Sequence, residues 1–237
     1  MIKIILNNIN QLLESKNIPE DMLLMDFKIE RSHVVFKHLI QVGPDIDANA
    51  IADLAIKRDY TKNTRQLPTP QGPLNEFLLR PKTEPQSLII YSKKGFVIDA
   101  QPSDNVLPLF RDAYDFYEKV MGDNALTATV VMDLTSKFEV FSTIPVSDFI
   151  NKSYQEKTTP LTFDGRELRP HGIILASGTG QYPEEFIQFS VQPLMKDPKR
   201  RLVVALLYRS TELDDALKFI ETIDSNIVQT LEKLSQL

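Results

Sequence analysis

The chain has 237 residues, of which 42% are hydrophobic and 25% are charged, and its net charge at pH 7 is -5. This is the composition of a soluble globular protein with enough apolar residues for a core, and it excludes a disordered chain. The acidic balance disfavours general nucleic-acid binding, which requires a basic surface. Because there is no cysteine, disulfides, thiolate nucleophiles and cysteine-based metal sites are excluded.

The first predicted element is an amphipathic helix in residues 2–13. Ile2, Leu6, Ile9 and Leu13 recur at helical spacing on one face of this segment. The segment turns polar at Asn7, which is too early for the apolar region of a signal peptide. No stretch of the chain approaches the ~18 apolar residues of a membrane span. We therefore expect a cytoplasmic protein with no membrane partner.

The next elements are two strands and a short helix. Alternating apolar residues predict strands at 22–30 and 34–42, with a polar turn at residues 31–33, before a helix at 48–57.

A break follows, because five prolines lie between Pro68 and Pro85 and residues 59–86 lack a clear period. We interpret residues 67–86 as a connector between an N-terminal subdomain, residues 1–66, and a main domain, residues 87–237.

Strand patterns followed by helical patterns recur about four times along the chain. After the connector they comprise strands at 88–91 and 96–99 with a helix at 105–121, strands at 126–134 and 137–144 with a helix at 147–156, a strand at 173–176, and strands at 186–192 and 201–209 with a helix at 212–235. A tight turn at Thr135-Ser136 is expected to separate the middle pair of strands. The pattern predicts an α+β fold, with a mainly antiparallel sheet built from hairpin-then-helix units and helices on one face.

Three of the strand-to-helix junctions share a proline followed by a capping residue, at Pro44, Pro102 and Pro145. Either an internal duplication or ordinary turn chemistry explains this recurrence. We favour turn chemistry, because nothing else aligns between the units. Residues 202–208 are almost uninterrupted apolar. We therefore expect a central strand paired on both sides, with Ala205 and Leu207 buried.

The sequence contains no recognisable catalytic motif, and it predicts neither a cofactor nor a metal. His38 lies on the apolar face of its strand, and no second histidine stands at metal-binding spacing. The alternative to a non-catalytic protein is an enzyme or small-ligand site in residues 164–180. That segment contains Arg166, Glu167, Arg169 and His171 ahead of the glycine-rich turn at 177–180. An exposed hairpin explains the same residues, and the turn lacks the glycine and lysine patterns of phosphate-binding loops.

The C-terminal helix is the best candidate for an interaction surface. Its apolar residues follow a 3-4 spacing and are Leu213, Leu217, Ile220, Ile227, Leu231 and Leu234. A helix of 24 residues would be ~36 Å long and would extend past the preceding strand. Its stripe resembles that of residues 2–13, so the two segments are expected to be able to pair within or between chains. The sequence therefore predicts a non-catalytic interaction or assembly module that binds a protein partner or itself, with homo-oligomerisation as one form.

Overall fold

The computed structural model describes residues 26–68, 70, 72–154, 161–164, 166–168, 170–177 and 185–236, without the side chains of residues 126, 161–163 and 166–168. The helix predicted in residues 2–13 and the glycine-rich turn after Ser177 lie outside the described residues. The strands are β1 (Phe27–Val42), β2 (Tyr60–Leu67), β3 (Leu74–Pro81), β4 (Leu88–Ser92), β5 (Gly95–Ala100), β6 (Thr129–Ser142), β7 (Leu161–Phe163), β8 (Arg166–Leu168), β9 (Ile173–Ala176), β10 (Phe186–Pro193) and β11 (Arg201–Ser210). The helices are α1 (Ala48–Ile56), α2 (Val106–Met121), α3 (Asn124–Thr127), α4 (Val146–Ser153) and α5 (Leu213–Ser235).

Nine of these strands form one antiparallel sheet in the order β2-β3-β4-β5-β1-β6-β11-β10-β9, and β7 and β8 form a separate hairpin. The α+β prediction, with a large antiparallel sheet and a C-terminal helix, is therefore confirmed. Apart from the edge strand β2, the order is symmetric about the central β1-β6 pair, since β5, β4 and β3 follow β1 outward as β11, β10 and β9 follow β6. Each side of the sheet also ends in a long helix, α2 for the first and α5 for the second.

Two turns predicted from polar residues are wrong. Residues 31–33 and Thr135-Ser136 lie inside the two longest strands, which pair with each other along their whole length. The polar residues are accommodated because Ser32 and Ser136 are buried in the sheet and a register shift between Ile29 and Arg31 absorbs one extra residue. The Ser32 hydroxyl accepts a hydrogen bond from the backbone N–H of Ser103 at 2.9 Å. Two of the four expected hairpins are thus single strands.

The predicted connector also contains regular structure. Residues 74–81 form β3, which pairs with β2 on one side and with β4 on the other. The reason is an alternation that the prolines obscured, with Phe77 and Leu79 buried on one face of the strand. The sheet therefore includes strands from all three ranges of the predicted domain division.

The core lies between one face of the sheet and helices α2 and α5. Aromatic rings dominate the first half, where Phe110 of α2 packs edge-on against Phe36 of β1 with centroids 5.6 Å apart. The Tyr91 hydroxyl donates to the carbonyl of Ala113 in α2. In the second half, α5 contacts β1 and β11, and most of its apolar residues are buried.

Strand β11 is central and pairs with β10 and β6, as predicted. The expected burial of Leu207 is wrong, because its side chain is 41% exposed, and Ala205 is only partly buried. Leu202, Val204 and Leu206 point into the helix-covered core, so the alternate residues point to the other face of the sheet. In the described part of the chain, no helix is long and apolar enough to cross a membrane.

Candidate interaction groove

An open apolar groove runs between α5 and the outer strands β9, β10 and β11. It has two adjoining parts of about 440 and 470 Å³, which share Ser177, Ile187 and Phe219 in their walls. The floor is formed by Phe189, Leu206 and Ile227, which are 7%, 4% and 1% exposed. We call this feature the α5 groove.

Aromatic and aliphatic side chains form the walls of the α5 groove. The ring of Phe219 stacks on Tyr208 with centroids 4.0 Å apart and the planes 6° from parallel. Burial raises the pKa of the Tyr208 hydroxyl, so this residue contributes a neutral side chain. On the opposite wall, Leu175 of β9 remains 43% exposed. Leu175 thus extends the apolar floor to an exposed edge of the groove.

The groove exists because the two halves of the sheet are covered differently. β3 and β9 occupy equivalent places, three strands out from the centre. In the first half α1 contacts α2, β2 and β3, and Phe77 and Leu79 of β3 are 8% and 0% exposed. In the second half α4 packs against α5, and Leu175 of β9 remains exposed. Among the described residues, therefore, the second half has an uncovered apolar strip.

Charged groups mark the two ends of the α5 groove. Lys233 lines the end near the C-terminus of α5. Asp215, Glu185 and Arg209 line the other end, where the guanidinium of Arg209 is paired with Asp133 at 2.6 Å. Eighteen helical steps separate Asp215 from Lys233, which corresponds to about 27 Å along the helix axis. Asn226, Gln229 and Thr230 form a polar rim between them. The groove thus has an apolar floor, a polar rim, one basic end and one acidic end.

The residues predicted for the interaction stripe lie mostly inside the chain's own core. Leu217, Ile220, Ile227, Leu231 and Leu234 are buried, and Leu213 is partly buried. Of these six, Ile227 lines the α5 groove. The groove residues that the sequence analysis missed include Phe219 and Leu175. The sequence offers one indication of the groove, because Phe219 is a large apolar residue beside the stripe, on the more polar face of the helix.

The residues of the predicted alternative site are placed as follows. Arg166 and Glu167 lie in β8, His171 is exposed just before β9, and Arg169 lies outside the described residues. At the C-terminal end of the same segment, Leu175, Ala176 and Ser177 line the α5 groove. The Ser177 hydroxyl accepts a hydrogen bond from the N–H of Ile187 at 3.0 Å, which extends the β9-β10 pairing into the wall.

His38 lies in the aromatic core of the first half and is 2% exposed. Its ring stacks on Phe96 with centroids 4.7 Å apart, and the edges of Tyr114 and Tyr117 pack against it. Burial lowers the pKa of the imidazole from 6.5 to about 4, because the desolvated interior disfavours the charged imidazolium. His38 is therefore a neutral core residue at neutral pH.

Three basic residues between Arg58 and Arg65 have acidic or aromatic partners. Arg58 contacts Asp115 at 2.5 Å, and Arg65 contacts Glu76. The ammonium of Lys62 lies 4.6 Å from the centroid of the Phe77 ring. These contacts reduce the positive field that a phosphate backbone would require.

Within the ranges given above, no group of three or more histidine, aspartate or glutamate side chains is arranged to hold a metal ion. Comparisons of the chain with protein-family models, with curated proteins and with solved structures gave no match. The α5 groove is therefore the feature from which a function is inferred.

Proposed function

We propose that the chain is a non-catalytic interaction or assembly module whose α5 groove binds the apolar face of an amphipathic helix in a protein partner. The observation that carries this proposal is the uncovered apolar strip between α5 and β9. Helix-in-groove recognition uses such a surface, with apolar side chains at positions i, i+3, i+4 and i+7 of the bound helix. The polar rim and the charged ends then determine the direction and register of the helix.

The dimensions of the groove support a helical occupant. From Phe219 to Lys233, α5 advances about 21 Å, which corresponds to four turns of a bound helix. The floor offers apolar contact along much of that length, through Phe189, Leu206 and Ile227. Self-association is a special case, in which the partner is a second copy of the chain.

Strand β9 offers a matched pair of substitutions to test this proposal. Leu175 lines the groove, whereas its neighbour Ile174 is 65% exposed and points to the other face of the sheet. A displayed library of amphipathic helical peptides is selected on the wild-type chain, and the enriched peptides are then tested on Leu175→Asp and Ile174→Asp. We expect Leu175→Asp to abolish retention and Ile174→Asp to preserve it. A selection that enriches no peptide would count against the proposal. So would peptides that bind Leu175→Asp as well as they bind the wild type.

Sedimentation velocity on the same three chains separates the two kinds of partner. If the partner is a second copy, the wild type and Ile174→Asp sediment as oligomers and Leu175→Asp sediments as a monomer. If the partner is a different protein, the groove substitution leaves the sedimentation coefficient unchanged.

A second candidate function is the binding of a small amphipathic molecule. The observation that favours it is the volume of about 440 Å³ in the part of the groove that contains Lys233, which falls within the usual range for ligand pockets. An apolar body would lie on Phe189 and Ile227, and an acidic head would contact the ammonium of Lys233. Thermal unfolding with decanoate tests this function. The expected result is a stabilisation of the wild type that Lys233→Met reduces, and no stabilisation would exclude this ligand class.

A further inference from the structure

We propose that residues 2–13 of the chain itself bind in the α5 groove, where they compete with a partner helix. This inference rests on the proposed function, because it names a regulator of the same site. It combines the geometry of the groove with the sequence pattern of a segment that lies outside the described residues.

The pattern of residues 2–13 fits the groove in length and chemistry. Its apolar residues Ile2, Leu6, Ile9 and Leu13 would all lie on one face of a helix. A helix of twelve residues is about 18 Å long, compared with about 21 Å for the part of α5 from Phe219 to Lys233. The apolar face would therefore cover most of the floor.

The chain enters the described part of the structure close to the C-terminal end of α5. Asp26 is held there, because its side chain accepts a hydrogen bond from the hydroxyl of Thr143 at 2.6 Å. The next residue, Phe27, packs against Phe149 of α4 with centroids 5.3 Å apart. Four residues further along α4, the Ser153 hydroxyl donates to the carbonyl of Leu234 at 3.4 Å. Residues 14–25 span up to about 40 Å when extended, which is enough to reach any position along the groove.

The charges at the groove ends select one direction for the segment. Because the chain enters near Leu234, the connection through residues 14–25 is shorter when residue 13 lies near Lys233 and residue 2 near Asp215. The connection can also span the groove in the reversed direction, so the charges decide between the two. The sequence places Lys3 at the end of the segment near Asp215, and it places Glu14, followed by Lys16, at the end near Lys233. A helix centred in the groove brings Lys3 to within about 5 Å, along the axis, of Asp215, and it brings Glu14 equally close to Lys233. The preference for this direction comes mainly from Lys3, because the reversed direction would place it beside Lys233, which is unfavourable.

Spin-label distances in the full chain test this arrangement, and the absence of cysteine makes site-specific labelling direct. Ser15→Cys is combined with Glu232→Cys in one chain and with Lys218→Cys in another, which leaves Glu14, Lys233, Lys3 and Asp215 in place. We expect narrow distance distributions in both chains, with the 15–232 distance shorter than the 15–218 distance by at least about 10 Å. Broad distributions, or the reverse order of the two distances, would overturn the inference. So would a short distance that disappears on dilution with unlabelled chain, because the segment would then lie in a second copy.

A second measurement separates this inference from the proposed function. In the double variant Leu6→Ser, Ile9→Ser, the competing segment loses two of its apolar contacts. We expect a peptide selected on the groove to bind this variant about ten-fold more tightly than it binds the wild type, because residues 2–13 no longer occupy the groove. Equal affinity for both chains, together with the expected loss in Leu175→Asp, would reject the competing segment but retain the groove as a partner site. If the spin-label distances are as expected but no peptide binds the groove, the partner site is rejected and the intramolecular contact of residues 2–13 is retained.

Discussion

The buried imidazole of His38 predicts a specific loss of stability in mild acid. Its pKa is about 4 in the folded chain, below the ordinary 6.5, because burial disfavours its charged form. Between these two values the unfolded chain binds a proton that the folded chain does not. The stability is therefore present above pH 6.5 and is lost as the pH falls towards 4. A shift of this size corresponds to about 3 kcal/mol in total, of which about 2 kcal/mol is lost between pH 7 and pH 5.

His38→Phe is the informative comparison, because it keeps an aromatic ring stacked on Phe96 and removes the titrating group. Nδ1 of His38 has no hydrogen-bond partner among the described residues, whereas a hydrogen bond between the imidazole and the backbone of His38 partly opposes the lowering of its pKa. The substitution removes that bond, so the informative quantity is the change in stability between two pH values. Urea unfolding at pH 7 and pH 5 gives the free energy of unfolding of both chains. We expect the wild type to lose about 2 kcal/mol more than His38→Phe between the two pH values. Equal losses in the two chains would show that His38 is not the group that titrates.

Three further predictions concern the architecture. Gly95 has φ 141°, and an added Cβ would lie 2.0 Å from the carbonyl oxygen of His38. Gly95→Ala should therefore lower the free energy of unfolding by at least about 1–3 kcal/mol. An unchanged urea midpoint would contradict the close approach of β1 and β5. Leu231 is fully buried, so Leu231→Ala should lower the free energy of unfolding by about 2–5 kcal/mol without changing the sedimentation coefficient. A change in oligomeric state at constant stability would instead place this residue in an interface. Amide exchange should be slower in β6 than in β9, since β6 pairs on both sides and β9 on one. The opposite order would contradict the strand order.

Local patterns in the sequence were sufficient for the outer hairpin and the long helices. The β10-β11 hairpin and α5 follow from an alternating pattern in β10, a continuous apolar run in β11 and a 3-4 apolar pattern in α5. The two central strands were harder, because polar residues such as Ser32 and Ser136 normally indicate turns. Their burial depends on partners that are distant in the chain, such as the backbone N–H of Ser103 for Ser32. No local pattern carries that information.

The candidate site was less predictable than the fold. The groove forms where the described helices leave β9 uncovered, which depends on how α1 and α4 pack in the two halves of the sheet. The exposure of Leu175 is a property of that packing, and the run Ile173–Ala176 reads equally well as a buried strand. The apolar stripe of α5 indicated the correct helix. However, most of that stripe is used for the core, and Phe219 beside it lines the groove.

The affinity of one selected helical peptide for three chains tests the central claim most directly. Titration calorimetry gives the dissociation constant for the wild type, Leu175→Asp and Ile174→Asp, and thermal unfolding confirms that all three are folded. We expect Leu175→Asp to bind at least ten-fold more weakly, a loss of about 1.4 kcal/mol or more, and Ile174→Asp to match the wild type. Equal affinity for wild type and Leu175→Asp, or an equal loss in both variants, would contradict the assignment of the α5 groove as the interaction surface.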